Sequence, residues 1–93
     1  MSVTAASHVV TTTPGRYIGR LCKHFAHKLE VQYDEQQGSI EFAFGRCLLN
    51  AEGDGLTLRV ESANHEDLEK LQQVVARHFE QFAWQEALQL EWR

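Results

Sequence analysis

Residues 29–60 read LEVQYDEQQGSIEFAFGRCLLNAEGDGLTLRV, and their hydrophobic period decides the fold. Leu29, Val31 and Tyr33 alternate with Glu30, Gln32 and Asp34. After turn residues at Glu35 to Gly38, Ile40, Phe42 and Phe44 share one face. Gly45-Arg46 reads as a tight connection at a hairpin tip, Cys47, Leu49 and Ala51 continue on a third strand, and Glu52-Gly53-Asp54-Gly55 closes another hairpin into Leu56, Leu58 and Val60. A period of two sends successive side chains to opposite faces, so each run has one apolar and one polar side, as antiparallel strands do when they cover a core on one face only. Glycine-bearing turns between such short runs make the segment a four-stranded meander.

Upstream the period lengthens. From Pro14 to about His27, Ile18, Leu21, Cys22 and Phe25 recur at spacings of three and four, with Tyr17 on the margin, which is one apolar stripe of a helix. Thr13-Pro14 is a helix start: a hydroxyl able to accept from an unpaired backbone N–H, then a residue whose fixed φ suits the first turn. Before it, the β-branched run within Ser7 to Thr12 predicts a strand. Downstream of the meander, Asn64 followed by Glu66 and Asp67 opens a second helix with a suitable cap and dipole partners. Its expected buried seam is Leu68, Leu71, Val75, His78 and Phe82, with Val74 and Phe79 on the flanks, and Leu88 to Trp92 predicts a short final strand. The expected architecture is α+β, an antiparallel sheet with two helices on one face in the order β-α-β-β-β-β-α-β. With no repeat, linker or low-complexity tract, residues 1–93 read as a single domain.

The composition narrows the function classes. A 93-residue chain that is 43% hydrophobic and 10% aromatic belongs with folded globular proteins. Its apolar runs fall short of the roughly 20 residues that span a bilayer, and Met1 to Ala6 lack the basic and apolar regions of a secretory signal, so the expected location is cytoplasmic with no membrane partner. Cys22 and Cys47 both fall on inward positions, where a reduced thiol acts as a small hydrophobe. A net charge of −4 argues against nucleic acid as a partner, since a clustered basic excess supplies most of that affinity.

The charge is unevenly spread. Between Pro14 and Lys28 stand Arg16, Arg20, Lys23, His24, His27 and Lys28 with no acidic residue, which leaves −8 for the remainder when histidines are neutral. Such a run can receive an anion or meet an acidic partner. Tyr17, His24 and Lys28 follow one flank of the helix at spacings of seven and four, and Arg46, whose planar fork suits carboxylate or phosphate oxygens, completes the candidate ligand site. A metal is the alternative ligand. His24 and His27 are three apart on a helix, close enough to share one ligand, whereas Cys22 points roughly 160° away from His24, which makes a Cys22–His24 metal pair poor geometry. Packing the first helix beside the second brings His24 toward His78, with Cys47 on the inward sheet face positioned to join them, so His24, Cys47 and His78 form the candidate metal or redox set. No other cofactor is expected.

The blocks LCKHFAHK (Leu21 to Lys28), FAFGRC (Phe42 to Cys47) and VVARHFEQFAWQE (Val74 to Glu86), in this order, resemble a bacterial family designated domain of unknown function 2218. The resemblance runs from His8 to Trp92. It implies a TATA-binding-protein-like fold, β-α-β(4)-α, and a setting near siderophore-interacting flavoproteins, hence near iron. It brings no activity, cofactor or catalytic residue. The chain also lacks a nucleophile elbow, a phosphate loop and a metalloprotease signature. The resulting expectation is a small binding module rather than an enzyme, its basic first-helix face engaging an anionic small molecule or an acidic partner protein, with a siderophore-interacting flavoprotein as one such partner. Val9, Leu48 and the two tryptophans are candidates for an exposed face that a homodimer would use.

Overall fold

Five strands and two helices follow one another in the computed structural model, as β1 (Val3–Val10), α1 (Pro14–Phe25), β2 (Glu30–Tyr33), β3 (Gln37–Phe42), β4 (Gly45–Glu52), β5 (Gly55–Ser62) and α2 (His65–Phe82). The structure describes residues 2–83, 88 and 90–93. All five strands form one antiparallel sheet in the order β1-β5-β4-β3-β2. Consecutive strands of the meander pair as neighbours, while α1 carries the chain across the sheet, so that β1 lies at the far edge against β5.

Both helices cover the same sheet face. Ile18, Leu21 and Cys22 of α1 and Leu71, Val75 and Phe79 of α2 meet Ile40, Cys47, Leu49, Leu56, Leu58 and Val60 of the sheet, and all twelve are fully buried. Each such leucine or isoleucine contributes about 1.5 to 3 kcal/mol over its exposed state. Gly38 makes the close approach of α1 to the sheet feasible: a Cβ there would lie 2.9 Å from Cys22 Sγ and 3.1 Å from Ile18 Cγ2. Gly45 serves the other end of the sheet. Its φ of +155° suits glycine, and a side chain would run into the Glu61 carbonyl.

Several expectations change on contact with the structure. β1 starts at Val3 rather than Ser7 and ends at Val10, because its register with β5 extends from Val3 opposite Ser62 to Val10 opposite Gly55. The Thr13 side chain makes no cap hydrogen bond to α1. The first turn instead has Arg16 N–H donating to the Thr13 carbonyl at 3.2 Å, and Thr13 N–H donates to Thr11 Oγ1. In α2 the seam turns through Leu68, Leu71, Val75 and Phe79, so Phe79 is fully buried while His78 and Phe82 are half-buried on its flank. Val9 faces the core, and Leu48 is on the outer face as expected. Trp84 lies outside the described residues, and Trp92 packs partly buried against the core. Gln89 of the expected final strand also lies outside them. In the described remainder, Arg93 and Ala6 exchange backbone hydrogen bonds of 2.8 and 3.1 Å, and Glu91 N–H donates to Ser7 Oγ.

Candidate functional site

On α1 and the turn that follows, Arg16, Arg20, Lys23, His24, His27 and Lys28 are all exposed. The core stripe of Ile18, Leu21 and Cys22 faces the sheet, so helical geometry sends these side chains outward and to the flank. Among the described residues, the ion pairs join His8 to Asp54, Arg46 to Glu61 and Lys70 to Glu66, and none involves a cation of this run. The run is therefore electrostatically unneutralised.

Its C-terminal end abuts α2. The His24 and His78 rings lie 4.7 Å apart between centroids at 45°, and both belong to a cluster that includes Phe25, Phe42, Phe44 and Phe82. His78 donates from Nδ1 to the Val74 carbonyl at 2.7 Å, one turn back on its own helix. Partial desolvation where it rests against these rings lowers the His24 pKa below its ordinary value, and the charges of His78, His27 and Lys28 lower it further.

The four residues expected to line one ligand site do not converge. Tyr17 is buried with its ring 5.5 Å from that of Phe79. Arg46 is not at a hairpin tip, because the turn falls on Ala43-Phe44 and β4 already begins at Gly45. Cys47 faces inward, so Arg46 projects from the opposite sheet face, where its Nε donates to Glu61 at 3.0 Å. Only His24 and Lys28 remain on the helix side as an exposed pair.

The metal set also divides. His24 reaches His78, but Cys47 is fully buried within the core. Its thiol pKa is pushed far up, by burial first and by Cys22 second, while burial alone lifts that of Cys22 to about 11. Neither thiol is a ready thiolate ligand. Among the described residues no group of three or more His, Cys, Asp or Glu comes together to hold a metal. The positive surroundings of His24 disfavour a cation on electrostatic grounds and favour an anion.

The outer sheet face carries groups that the sequence alone does not single out. In the β1–β5 half, His8 contacts Thr57 through Nδ1 and Asp54 through Nε2, each at 2.8 Å, and Thr57 donates to Glu52 at 3.2 Å. Asp54's carboxyl titrates below its ordinary range because His8 hydrogen-bonds it. Only the cross-strand register, His8 opposite Thr57, joins these residues. In the β2–β4 half, Gln32, Gln37, Ser39 and Asn50 surround Leu48. Leu48 was the available sequence signal, an apolar residue out of phase between Cys47 and Leu49.

A family model described as an uncharacterised protein conserved in bacteria, domain of unknown function 2218, matches residues 6–93. Among solved structures, the NMR structure of PA4090 from Pseudomonas aeruginosa superposes with a TM-score of 0.79 at 37% sequence identity, covering 97% of this chain and 94% of that one. No curated protein matches the chain. Among the described residues, no helix is long and apolar enough to cross a membrane.

Proposed function

Since the chain belongs to the bacterial family designated domain of unknown function 2218, and a shared fold leaves function to surface chemistry, we propose that it is a cytoplasmic, non-catalytic binding module whose basic α1 face engages an acidic partner protein. The observation that carries this reading is the arrangement of charge on α1. Arg16 stands in the first turn, where the helix dipole disfavours a cation, and Arg20 follows it at i+4. Arg20 and Lys23 are three apart, so α1 carries two like-charged pairs at helical spacing, Arg16–Arg20 and Arg20–Lys23. Like charges at such spacings cost a helix about 0.2 to 0.5 kcal/mol per pair. The dipole accounts for Lys23 and His24 in the last turn, but not for Arg16 or for the absence of any acid along the stripe. A partner's carboxylates would remove this repulsion on binding.

The length of the stripe favours a protein over a small anion. Arg16 and Lys23 lie about 10 Å apart along the axis at 1.5 Å per residue, more than one carboxylate or phosphate bridges. The family resemblance supplies a first partner to test, a siderophore-interacting flavoprotein. The experiment compares the wild-type chain with an Arg20→Gln, Lys23→Gln, Lys28→Gln variant as bait, at low and raised salt. Capture should be lost in the variant and weakened by salt. A partner held equally by the variant, or none captured by either bait, would overturn the reading.

A further inference from the structure

We propose that the depression around Leu48 on the outer sheet face is a second binding site, and that it takes an uncharged sugar. The depression is about 470 Å³, within the usual range for small-molecule sites, and lies on the sheet face opposite the helices. The strand register assembles it. Gln32 stands opposite Ser39 and Ser39 opposite Leu48, while in the next outward-facing row Gln37 stands opposite Asn50.

Three features define the ligand. First, the polar lining is neutral apart from Asp34, and Asp34 Oδ1 already accepts from the backbone N–H groups of Gln36 and Gln37 at 2.7 and 2.9 Å. Second, among the described residues the side chains of Gln32, Gln37, Ser39 and Asn50 make no hydrogen bond within the protein. Elsewhere on the same face polar side chains are paired, His8 with Asp54 and Thr57, Thr57 with Glu52, and Arg46 with Glu61. Each free amide offers a donor and an acceptor side by side, the pattern that a pair of neighbouring hydroxyls can satisfy. Third, Leu48 gives the depression an apolar, half-buried floor. A sugar ring presents such a combination, with hydroxyls around its rim and C–H groups on its face. Glu30 and Glu41 flank the adjoining surface beside Gln32 and Ser39, while Arg59 stands opposite Leu48 on the other side, so the flanks carry both signs and a neutral ligand is the best match. An open site of this kind binds weakly, in the millimolar range, since a small ligand left partly in water recovers little of its ordering cost.

The test is a titration of the 15N-labelled chain, followed by amide chemical shifts, with a panel of neutral mono- and disaccharides and with glucuronate as the acidic control. At least one neutral sugar should shift the amides of Gln32, Ser39, Leu48 and Asn50 to saturation. Asn50→Ala and Gln32→Ala should each weaken binding about tenfold, and glucuronate should bind no more tightly than its neutral counterpart. Both substitutions remove side chains from the outer face, away from the core, and a dispersed spectrum confirms that each variant is folded. No shift from any neutral sugar up to about 50 mM, shifts clustered elsewhere, or unchanged affinity in both variants would overturn the proposal.

Discussion

The two helices lie on one sheet face and obtain their stability in opposite ways. At α2, Asn64 accepts from Asp67 N–H at 2.8 Å, and Glu66 and Asp67 complement the dipole in the first turn. At α1 there is no side-chain cap and no acid in the first turn, and Arg16 stands there against the dipole. What holds α1 is packing: Ile18, Leu21 and Cys22 rest on a strand that Gly38 keeps bare. Charges in the first turn of α2 help to hold their own helix, whereas Arg16 in the first turn of α1 opposes its own. A local rule broken on a well-packed element is where function is to be sought.

The contrast can be broken or sharpened in graded steps. Phe79→Ala empties the centre of the α2 seam and should cost about 3 to 5 kcal/mol in a urea titration. A loss under 1 kcal/mol would mean that α2 is held by its cap more than by its core face. Gly38→Ala attacks α1 where it touches the sheet, and the displaced Cys22 and Ile18 should cost about 1 to 3 kcal/mol. Next in size is the cap comparison. Asn64→Ala should cost about 1 kcal/mol, while Thr13→Ala stays within roughly 0.5 kcal/mol, because only the asparagine side chain holds a helix N–H. Equal losses would erase the distinction between the two helix starts. Arg20→Glu should then do two things at once, stabilising α1 by about 0.3 to 0.5 kcal/mol by relieving repulsion from Arg16 and Lys23, and weakening capture of the acidic partner.

The smallest effect is a titration. His24 should titrate below 6.5 by NMR, and His78→Ala should raise its midpoint by removing both buried surface and a neighbouring charge. For a base whose folded pKa is lowered, the unfolded chain binds more protons between the folded midpoint and 6.5. Stability therefore rises with pH across that window and is lost as pH falls through it. Bound carboxylates act the other way, so the complex should tighten as His24 gains its proton.

The meander is legible in the sequence because a sheet covered on one face imposes a strict period of two, and Asn64 is legible because a cap followed by two acids in the first turn is a local code. The approach of His24 to His78 also follows from helix phase. What escapes the sequence depends on partners distant in the chain. β1 begins among Val3, Thr4 and two alanines, a weak strand signal, and is specified by its register with β5. Arg46 reads as a turn residue until Gly45 is seen to begin the strand and turn Arg46 to the outer face. His78 and Phe79 are adjacent in a seam whose turn-by-turn drift decides which of them is buried, and the packing against Tyr17 selects Phe79. The cluster around Leu48 needs three strands in register before its four neutral side chains meet.

The paired hydrogen bonds between Arg93 and Ala6 also bear on how this molecule meets other copies of itself in a crowded solution. A sheet presents two margins along which a foreign strand can add, and such addition is how ordered aggregates grow. Along one margin, the last residues of the chain occupy the backbone groups of β1 at Ala6. The other margin is β2, four residues long and opening on the charged Glu30, too short and too polar a template for ready extension. Removing Arg93 alone would break both of these hydrogen bonds and bare the β1 margin while leaving Leu88, Leu90 and Trp92 against the core, so solubility should fall before the fold does.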